Sequence, residues 1–338
     1  MSDDAMRAKL DAAPSTQGWG RSLVIKVGRE RVFVKRIPLT DKELRHAYST
    51  RNHFRLPLFY NYGVGSAGFG AFRELRGHQR ATEWVLGGES ENFPLMFHHR
   101  VVACEKQRAG EHAVDAHVRY WNGSKRIGAF MEARMCASHE LLVFIEHFPR
   151  TVAQWASKSA ARAQWVDDEM SSAVRHLRRK RVIHFDGHSQ NVVTDGVRAY
   201  LTDFGLVLDR SFELTPSEVA FYKRHTEYDR AYNAATLSYF ATTRLSKLRG
   251  RRARELATRY GIERRVDAAS LLATLVHLEE LIDDGLLDGS PEHLTRLLAS
   301  RSVALLMHRF FADLRRTSKK DTAFDNARVR RLLRGRAC

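Results

Sequence analysis

The sequence predicts an α+β protein with two lobes, a β-rich first lobe and a helical second lobe. Alternating apolar runs lie before Pro149, whereas apolar residues at helical spacing dominate from about Asp229 onward. The 338 residues, 43% of them hydrophobic, are enough for one large two-lobed domain or two ordinary ones. We expect a flexible N-terminus at 1–17, a first lobe at 18–148 and a helical lobe at 149–338.

The first lobe is predicted to contain four strands and one long helix. The strands are Leu23–Gly28, Arg31–Ile37, Phe93–Cys104 and Leu141–Phe148. The first two alternate around a turn at residues 28–30, which indicates a β-hairpin. A glycine-rich stretch at 63–70 then leads into a helical pattern that continues to about Leu86.

The second lobe is predicted to be mainly helical. Thr151–Ala156 and Ala160–Arg181 have helical spacing, and two short β-like pieces follow at Asn191–Thr194 and Ala199–Thr202. From about Asp229 the pattern is helical almost to the end. No internal repeat is present, which excludes a solenoid.

The composition argues against several classes of protein. No window approaches the roughly 20 apolar residues of a membrane span, and the N-terminus lacks the order of a signal peptide. Cys104, Cys136 and Cys338 are widely spaced and form no CxxC pair, which argues against a disulfide framework or a structural zinc site. We expect a cytoplasmic protein with no membrane partner.

The chain is strongly basic, with a formal net charge of +17 and a pI near 10.1. The electrostatic field of such a charge attracts nucleic acid, nucleotides or anionic lipid. The basic runs lack the interleaved aromatic residues of a base-stacking platform and are typical of solvated helix faces. A nucleic-acid partner therefore stays open but is not favoured.

The segment His184–Gly205, HFDGHSQNVVTDGVRAYLTDFG, carries the chemistry. A hairpin between Asn191 and Asp203, which are twelve residues apart, would bring these two side chains together. Carboxylate and amide oxygens beside substrate phosphates suit Mg²⁺. Asp186 would lie on the approach loop, where it can accept a proton from an attacking hydroxyl. The alternative is that these carboxylates only form turns.

This order of residues resembles the protein-kinase-like superfamily, whose pattern is HxDxxxxN followed by DFG. His188 extends the pattern to HxDxHxxN, which is similar to the aminoglycoside and choline phosphotransferase branch. The resemblance covers residues 18–210 and is specific only at 184–205. It implies a bilobal kinase-like fold, with ATP and Mg²⁺ bound between the lobes.

The same resemblance assigns a lysine and its partner in the first lobe. Phe33-Val34-Lys35 is similar to the V-A-I-K strand, so Lys35 would contact the nucleotide phosphates; by itself it is an ordinary strand lysine. Glu74 and Glu83 are the candidate partners. Nine residues on a helix make about 180° of rotation, so only one can face the site. Glu74 is preferred, because an Arg-Glu pair near the helix start resembles the family pattern.

The nucleotide base and phosphates have further candidate contacts. The backbone of Glu146–Phe148 would meet the adenine edge, an assignment based on position alone. Kinases place their glycine-rich loop before the strand lysine, but here the run with Gly63, Gly65 and Gly68 follows Lys35. It could cover the phosphates from an unusual direction or form a tight packed turn. A shorter candidate, Gly18-Trp19-Gly20-Arg21-Ser22, precedes the lysine.

The glycine run also matches GxGxxG, the dinucleotide-binding fingerprint. A single βα unit does not make that fold, and no alternating strands and helices follow. A Rossmann domain is therefore not expected.

The sequence predicts a kinase that transfers the γ-phosphoryl group of ATP to a hydroxyl acceptor. The resemblance implies that Asp186, Lys35 and Glu74 would form the catalytic set and that Asn191 and Asp203 would hold the metal. No Ala-Pro-Glu follows the DFG motif, which favours a small-molecule acceptor over a protein substrate. An atypical protein kinase and a non-catalytic pseudokinase scaffold stay open as alternatives.

Overall fold

A computed structural model describes Met6, Leu10 and residues 21–104, 111–316 and 320–334. The rest of the predicted flexible N-terminus, Cys338 and the first three residues of the shorter candidate loop, 18–20, lie outside the described residues. The described chain combines three antiparallel sheets with many helices, so the predicted α+β class is confirmed.

The largest sheet has four antiparallel strands in the order β1-β2-β4-β3. They are β1 (Arg21–Val27), β2 (Glu30–Leu39), β3 (Met96–Ala103) and β4 (His139–Glu146). The predicted hairpin is confirmed, since Val27 pairs with Glu30. The third strand begins three residues later than predicted. Pro94 precedes it, and proline has no N–H to donate to a ladder.

A short helix and a long one follow the hairpin. α1 (Asp41–Arg45) begins at a Thr40 capping box, and α2 (Ala71–Leu86) is the predicted long helix. Phe72 and Leu75 of α2 pack against the four-stranded sheet, whereas its later turns bury Trp84 in a second cluster. The apolar residues at helical spacing thus join two parts of the core.

Two helices between β3 and β4 were not predicted from the sequence. They are α3 (Glu111–Tyr120) and α4 (Lys125–Met135), and α4 begins at a Ser124 cap. Trp121, Ile127 and Phe130 are buried in the largest hydrophobic cluster, together with residues of the C-terminal helices. That cluster takes side chains from both sides of the predicted boundary at Pro149.

The second half of the described chain contains nine further helices and two small sheets. The helices are α5 (Val152–Ala156), α6 (Ala160–Arg179), α7 (Pro216–Lys223), α8 (Tyr228–Leu245), α9 (Gly250–Tyr260), α10 (Ala268–Val276), α11 (Leu278–Asp283), α12 (Pro291–Arg316) and α13 (Asn326–Arg334). The sheets contain β5 (Arg150–Thr151), β7 (Val192–Thr194) and β8 (Ala199–Leu201) in one, and β6 (Val182–Ile183) and β9 (Leu208–Asp209) in the other. Of the described helices, none has the length and apolar character required to cross a bilayer.

Candidate functional site

A cleft of about 550 Å³ lies between the four-stranded sheet, α2 and the loops around β7 and β8. Eight of the predicted site residues line it: Lys35, Gly68, Glu74, Glu146, Phe148, Asp186, Asn191 and Asp203. Gly63 lines a neighbouring cavity instead, and Gly65 is not among the lining residues of either space. A volume of this size is typical of small-molecule sites.

Lys35 joins the sheet to two carboxylates. Its Nζ atom lies 2.5 Å from Oε1 of Glu74 and 2.8 Å from Oδ1 of Asp203. Strand alternation explains the direction of the side chain, because Val34 points into the cluster on the opposite face of the sheet. The other candidate partner, Glu83, pairs with Arg76 on the exposed side of α2.

The charges of this group support one another. Burial opposes the charge of Lys35, but the carboxylates of Asp203 and Glu74 outweigh it and raise the pKa of the ammonium above its usual value. Burial also disfavours the charge of Asp203, yet Lys35 and the Gly205 amide hold the pKa of that carboxyl well below its usual range. For Glu74, burial raises the pKa despite the contact with Lys35. The ammonium and the Asp203 carboxylate are therefore both charged at neutral pH.

The backbone turns sharply at Asp203, which has a positive φ of 65°. Its Oδ1 atom accepts the Gly205 N–H at 3.2 Å, and the turn sends Phe204 into the core. The Phe204 ring lies between two buried imidazoles, those of His78 and His184. Burial lowers the pKa of His78 to about 3 and that of His184 to about 4, so both rings are neutral at pH 7.

The hairpin of β7 and β8 brings Asn191 beside Asp203, as the spacing predicted. The Thr202 N–H donates to the Asn191 carbonyl at 2.9 Å. The Asn191 side-chain amide donates to both the carbonyl and Oδ2 of Asp186 at 3.0 Å. Its Oδ1 atom accepts from no described residue and is left for another ligand. Asn191 therefore fixes Asp186 while keeping one oxygen available.

The donor set at this end of the hairpin fits Mg²⁺. Asn191 and Asp203 offer hard oxygen atoms, and the lowered pKa of Asp203 keeps its carboxylate ionised. No group of three or more His, Cys, Asp or Glu residues suited to a metal occurs in the part of the chain that the structure describes. Two protein ligands match a metal that takes its remaining ligands from substrate phosphates and water.

Asp186 is held in a polar but poorly solvated position. Burial raises the pKa of its carboxyl, with His188 acting in the opposite direction and Asp203 in the same direction. The Nε2 atom of His188 lies 3.7 Å from Oδ1 of Asp186. A raised pKa makes this carboxylate a stronger base than an ordinary aspartate.

Asp229 positions the loop that carries Asp186, although the sequence did not identify it as a site residue. It lies in the first turn of α8 and accepts the backbone N–H groups of His184 at 2.7 Å and Phe185 at 3.1 Å. The backbone is strained here, because Phe185 has a φ of 65°, and the two hydrogen bonds hold it in this conformation. The sequence marks Asp229 only as the start of a helical stretch, which does not indicate which loop it contacts.

The glycine run packs against the same loop. A β-carbon on Gly63 would lie 2.1 Å from Oδ1 of Asp186, and one on Gly68 would lie 3.1 Å from the Gly205 carbonyl oxygen. The Phe69 N–H donates to that carbonyl at 3.2 Å. Ser66, Ala67 and Gly68 also line the cleft. The run is thus a packed turn at Gly63 and part of the cleft wall near Gly68.

The predicted adenine contacts lie at the far end of β4. Glu146 donates its backbone N–H to the Leu95 carbonyl at 2.9 Å, so this amide is already used. The Phe148 ring stacks on Tyr200 at a centroid distance of 4.0 Å. Both residues line the cleft, but the Glu146 N–H is not available to a molecule bound there.

Neither a protein-family model nor a curated protein sequence matches the chain.

Proposed function

We propose that the protein is an ATP- and Mg²⁺-dependent phosphotransferase with a bilobal protein-kinase-like fold, which transfers the γ-phosphoryl group to a hydroxyl of a small molecule. One observation carries the proposal. Lys35 contacts Glu74 and Asp203 at the cleft into which Asp186 and Asn191 also project. Phosphoryl transfer needs these groups together: a cation for phosphate, oxygen ligands for the metal and a base for the hydroxyl.

The binding roles follow from the contacts. The Lys35 ammonium, oriented by Glu74, would donate to oxygens of the α- and β-phosphates. Asn191 and Asp203 would hold Mg²⁺, which when bound supplies positive charge against the triphosphate. The Ser66–Gly68 wall would exclude water from one side of the cleft.

The chemical step would use Asp186 as the base. Its carboxylate takes the proton of the acceptor hydroxyl while the oxygen bonds to the γ-phosphorus and the bond to the ADP oxygen breaks. Asn191 keeps the carboxylate in place through its amide. Most of the acceleration would come from position and charge, since the protein provides little covalent chemistry in such reactions.

Two features favour a small-molecule acceptor over a regulated protein kinase. Only residues 206–215 separate the Asp-Phe-Gly motif from α7, which leaves little room for an activation segment. Thr215, in this short segment, caps α7 by accepting the Glu218 N–H, and its hydroxyl also contacts that of Ser217. Both hydroxyls therefore have structural partners. A non-catalytic scaffold is less well supported, because Lys35, Asp186, Asn191 and Asp203 are all present.

The test is the thermal shift of the wild type and of Asp203→Ala with ATP, each with and without Mg²⁺. A ligand that binds only the folded state, present at 100 times its Kd, raises the free energy of unfolding by about 2.7 kcal/mol. We expect a rise in Tm with ATP that needs Mg²⁺ and is weakened in Asp203→Ala. Asp283→Ala, an exposed position on α11, is the control and should behave as the wild type. Absence of any shift at millimolar ATP would refute the proposal.

A further inference from the structure

A second cavity, of about 480 Å³, adjoins the cleft at the loop that carries Asp186. Gln190 lines both spaces, and His188, whose Nε2 atom lies 3.7 Å from Oδ1 of Asp186, lines the second. Gly63, which packs against the same carboxylate, is also part of its wall. A molecule in this cavity therefore borders the proposed base while the cleft stays available for nucleotide.

Two arginines and one aspartate line the second cavity and leave its wall with a net positive charge. Arg265, just before α10, and Arg315, at the end of α12, both line it and are exposed. Among the described residues, no carboxylate forms an ion pair with either guanidinium. Asp267 is the acid among the lining residues; its hydrogen bond from the Ser270 N–H at 2.9 Å and the charge of Arg265 both lower the pKa of its carboxyl, so it offsets one of the two positive charges. His308 adds no charge, because burial lowers its pKa to about 4.

The rest of the wall offers aromatic surface. Tyr232 and Tyr239 of α8 and Phe311 of α12 line the cavity, and the Tyr232 and Phe311 rings meet edge to face at 5.2 Å. The Arg315 guanidinium lies 5.5 Å from the centre of the Phe311 ring, which keeps it beside this surface. Aromatic walls with a few fixed polar groups are typical of small-molecule sites.

We infer that the second cavity binds the phosphoryl acceptor and that this acceptor is a hydroxylated small molecule with an anionic group, a phosphate or a carboxylate. The inference rests on the proposed function. Arg265 and Arg315 would bind the anionic group, because guanidinium geometry matches both carboxylate and phosphate. The hydroxyl would lie beside His188 and face Asp186. Its oxygen would become part of the new phosphate ester as ADP leaves. A cationic acceptor would meet a wall of net positive charge here.

The experiment measures binding without turnover, by saturation-transfer NMR titration of four ring compounds. Phenyl phosphate and benzoate are anionic, benzyl alcohol is neutral and benzylamine is cationic. We expect wild type to bind at least one anionic compound more tightly than the neutral and cationic ones. The two anionic compounds distinguish a phosphate site from a carboxylate site.

Paired double variants locate the binding. Arg265→Gln with Arg315→Gln should raise the Kd of the anionic compound roughly tenfold or more, since two charge-assisted contacts are lost. The control, Arg264→Gln with Arg316→Gln, removes the same charge from neighbouring exposed positions outside the cavity and should leave Kd unchanged. Lys35→Met should also leave it unchanged, which separates this cavity from the nucleotide cleft.

The outcomes separate this inference from the proposed function. Equal or tighter binding of benzylamine, or a Kd that the Arg265 and Arg315 changes leave unaltered, would overturn the anionic site whatever the protein does with ATP. Selective anion binding that these changes abolish would support the site even if ATP gave no thermal shift, in which case the phosphotransferase proposal alone would fail.

Discussion

The Nζ atom of Lys35 lies 2.8 Å from Oδ1 of Asp203, although 168 positions separate the two residues in the chain. This contact links the four-stranded sheet to the turn that follows β8. Because Glu74 also contacts the ammonium, one cation holds a strand, a helix and a loop in a fixed relation. Changes at any of the three should alter both the position of Lys35 and its charge balance.

Glu74→Gln should lower kcat/KM for ATP by about 10- to 100-fold, because the ammonium loses the carboxylate that orients it. Glu83→Gln is the matched control: it lies on the same helix but pairs with exposed Arg76, so activity should stay within twofold. Steady-state kinetics of both variants provide the measurement. A larger loss in Glu83→Gln than in Glu74→Gln would contradict the assignment of the partner.

Asp186→Asn should bind ATP with Mg²⁺ as the wild type does but lose turnover by about 10²- to 10⁴-fold, the usual contribution of a general base. The amide cannot take a proton from the acceptor hydroxyl, whereas the nucleotide contacts are made by other residues. Thermal shift and phosphoryl transfer are measured on the same preparation. Near-normal turnover would exclude Asp186 as the base.

Gly63→Ala should reduce kcat by about 10²-fold, because its methyl group would meet the Asp186 carboxylate at 2.1 Å and force it to move. Gly128→Ala is the control, since its methyl group would approach Val118 at 3.4 Å, an ordinary contact between α4 and α3. Rates and melting temperatures of both variants are compared. If Gly63→Ala keeps the wild-type rate, the close approach has no functional role.

Asp229→Asn should lower the free energy of unfolding by about 1–3 kcal/mol at pH 7 and reduce turnover as well. Its side-chain amide can accept only one of the two N–H groups from His184 and Phe185 and presents its own donors to the other. Urea denaturation gives the stability, and Asp283→Asn serves as the exposed control. Unchanged stability would show that the two hydrogen bonds do not restrain the loop.

The contribution of Asp229 should also depend on pH. Burial raises the pKa of Asp229 to about 6, although the two amides act in the opposite direction. Between pH about 4 and about 6 the Asp229 carboxyl is therefore protonated in the folded protein but mostly ionised in the unfolded chain. The stability difference between wild type and Asp229→Asn should decrease as pH rises through this window, by at most about 3 kcal/mol. A difference that increases with pH would contradict the raised pKa.

Local patterns predicted much of the secondary structure. The β1–β2 hairpin, α2 and the β7–β8 hairpin follow from alternation, helical spacing and turn residues, which are all short-range signals. The helices α3 and α4 were missed. They stabilise the largest core cluster through contacts with helices more than a hundred residues away, and no local pattern records such contacts.

The site was predictable where its residues are close in sequence. Asn191 and Asp203 lie at the same end of the hairpin because a hairpin of that length returns to its start, where the Thr202 N–H donates to the Asn191 carbonyl. The choice of Glu74 depends instead on the rotation of α2 over the sheet, and the approach of Gly63 to Asp186 depends on how two distant loops pack. Asp229 could not be identified because its two hydrogen bonds come from backbone N–H groups. Nearly every residue has such a group, so the sequence does not show which ones an aspartate contacts.

The largest core cluster has a mechanical consequence. Val64 and Phe69 belong to it together with Phe185, so the glycine run and the loop of Asp186 share one rigid support. Lys35, in contrast, lies on the four-stranded sheet, which packs against other side chains. If the sheet tilts as a unit, the distance from Lys35 to Asp203 changes while the Asp186 loop keeps its shape. If the cleft binds nucleotide as proposed, opening to exchange it would separate the Lys35 ammonium from the Asp203 carboxylate without moving Asp186.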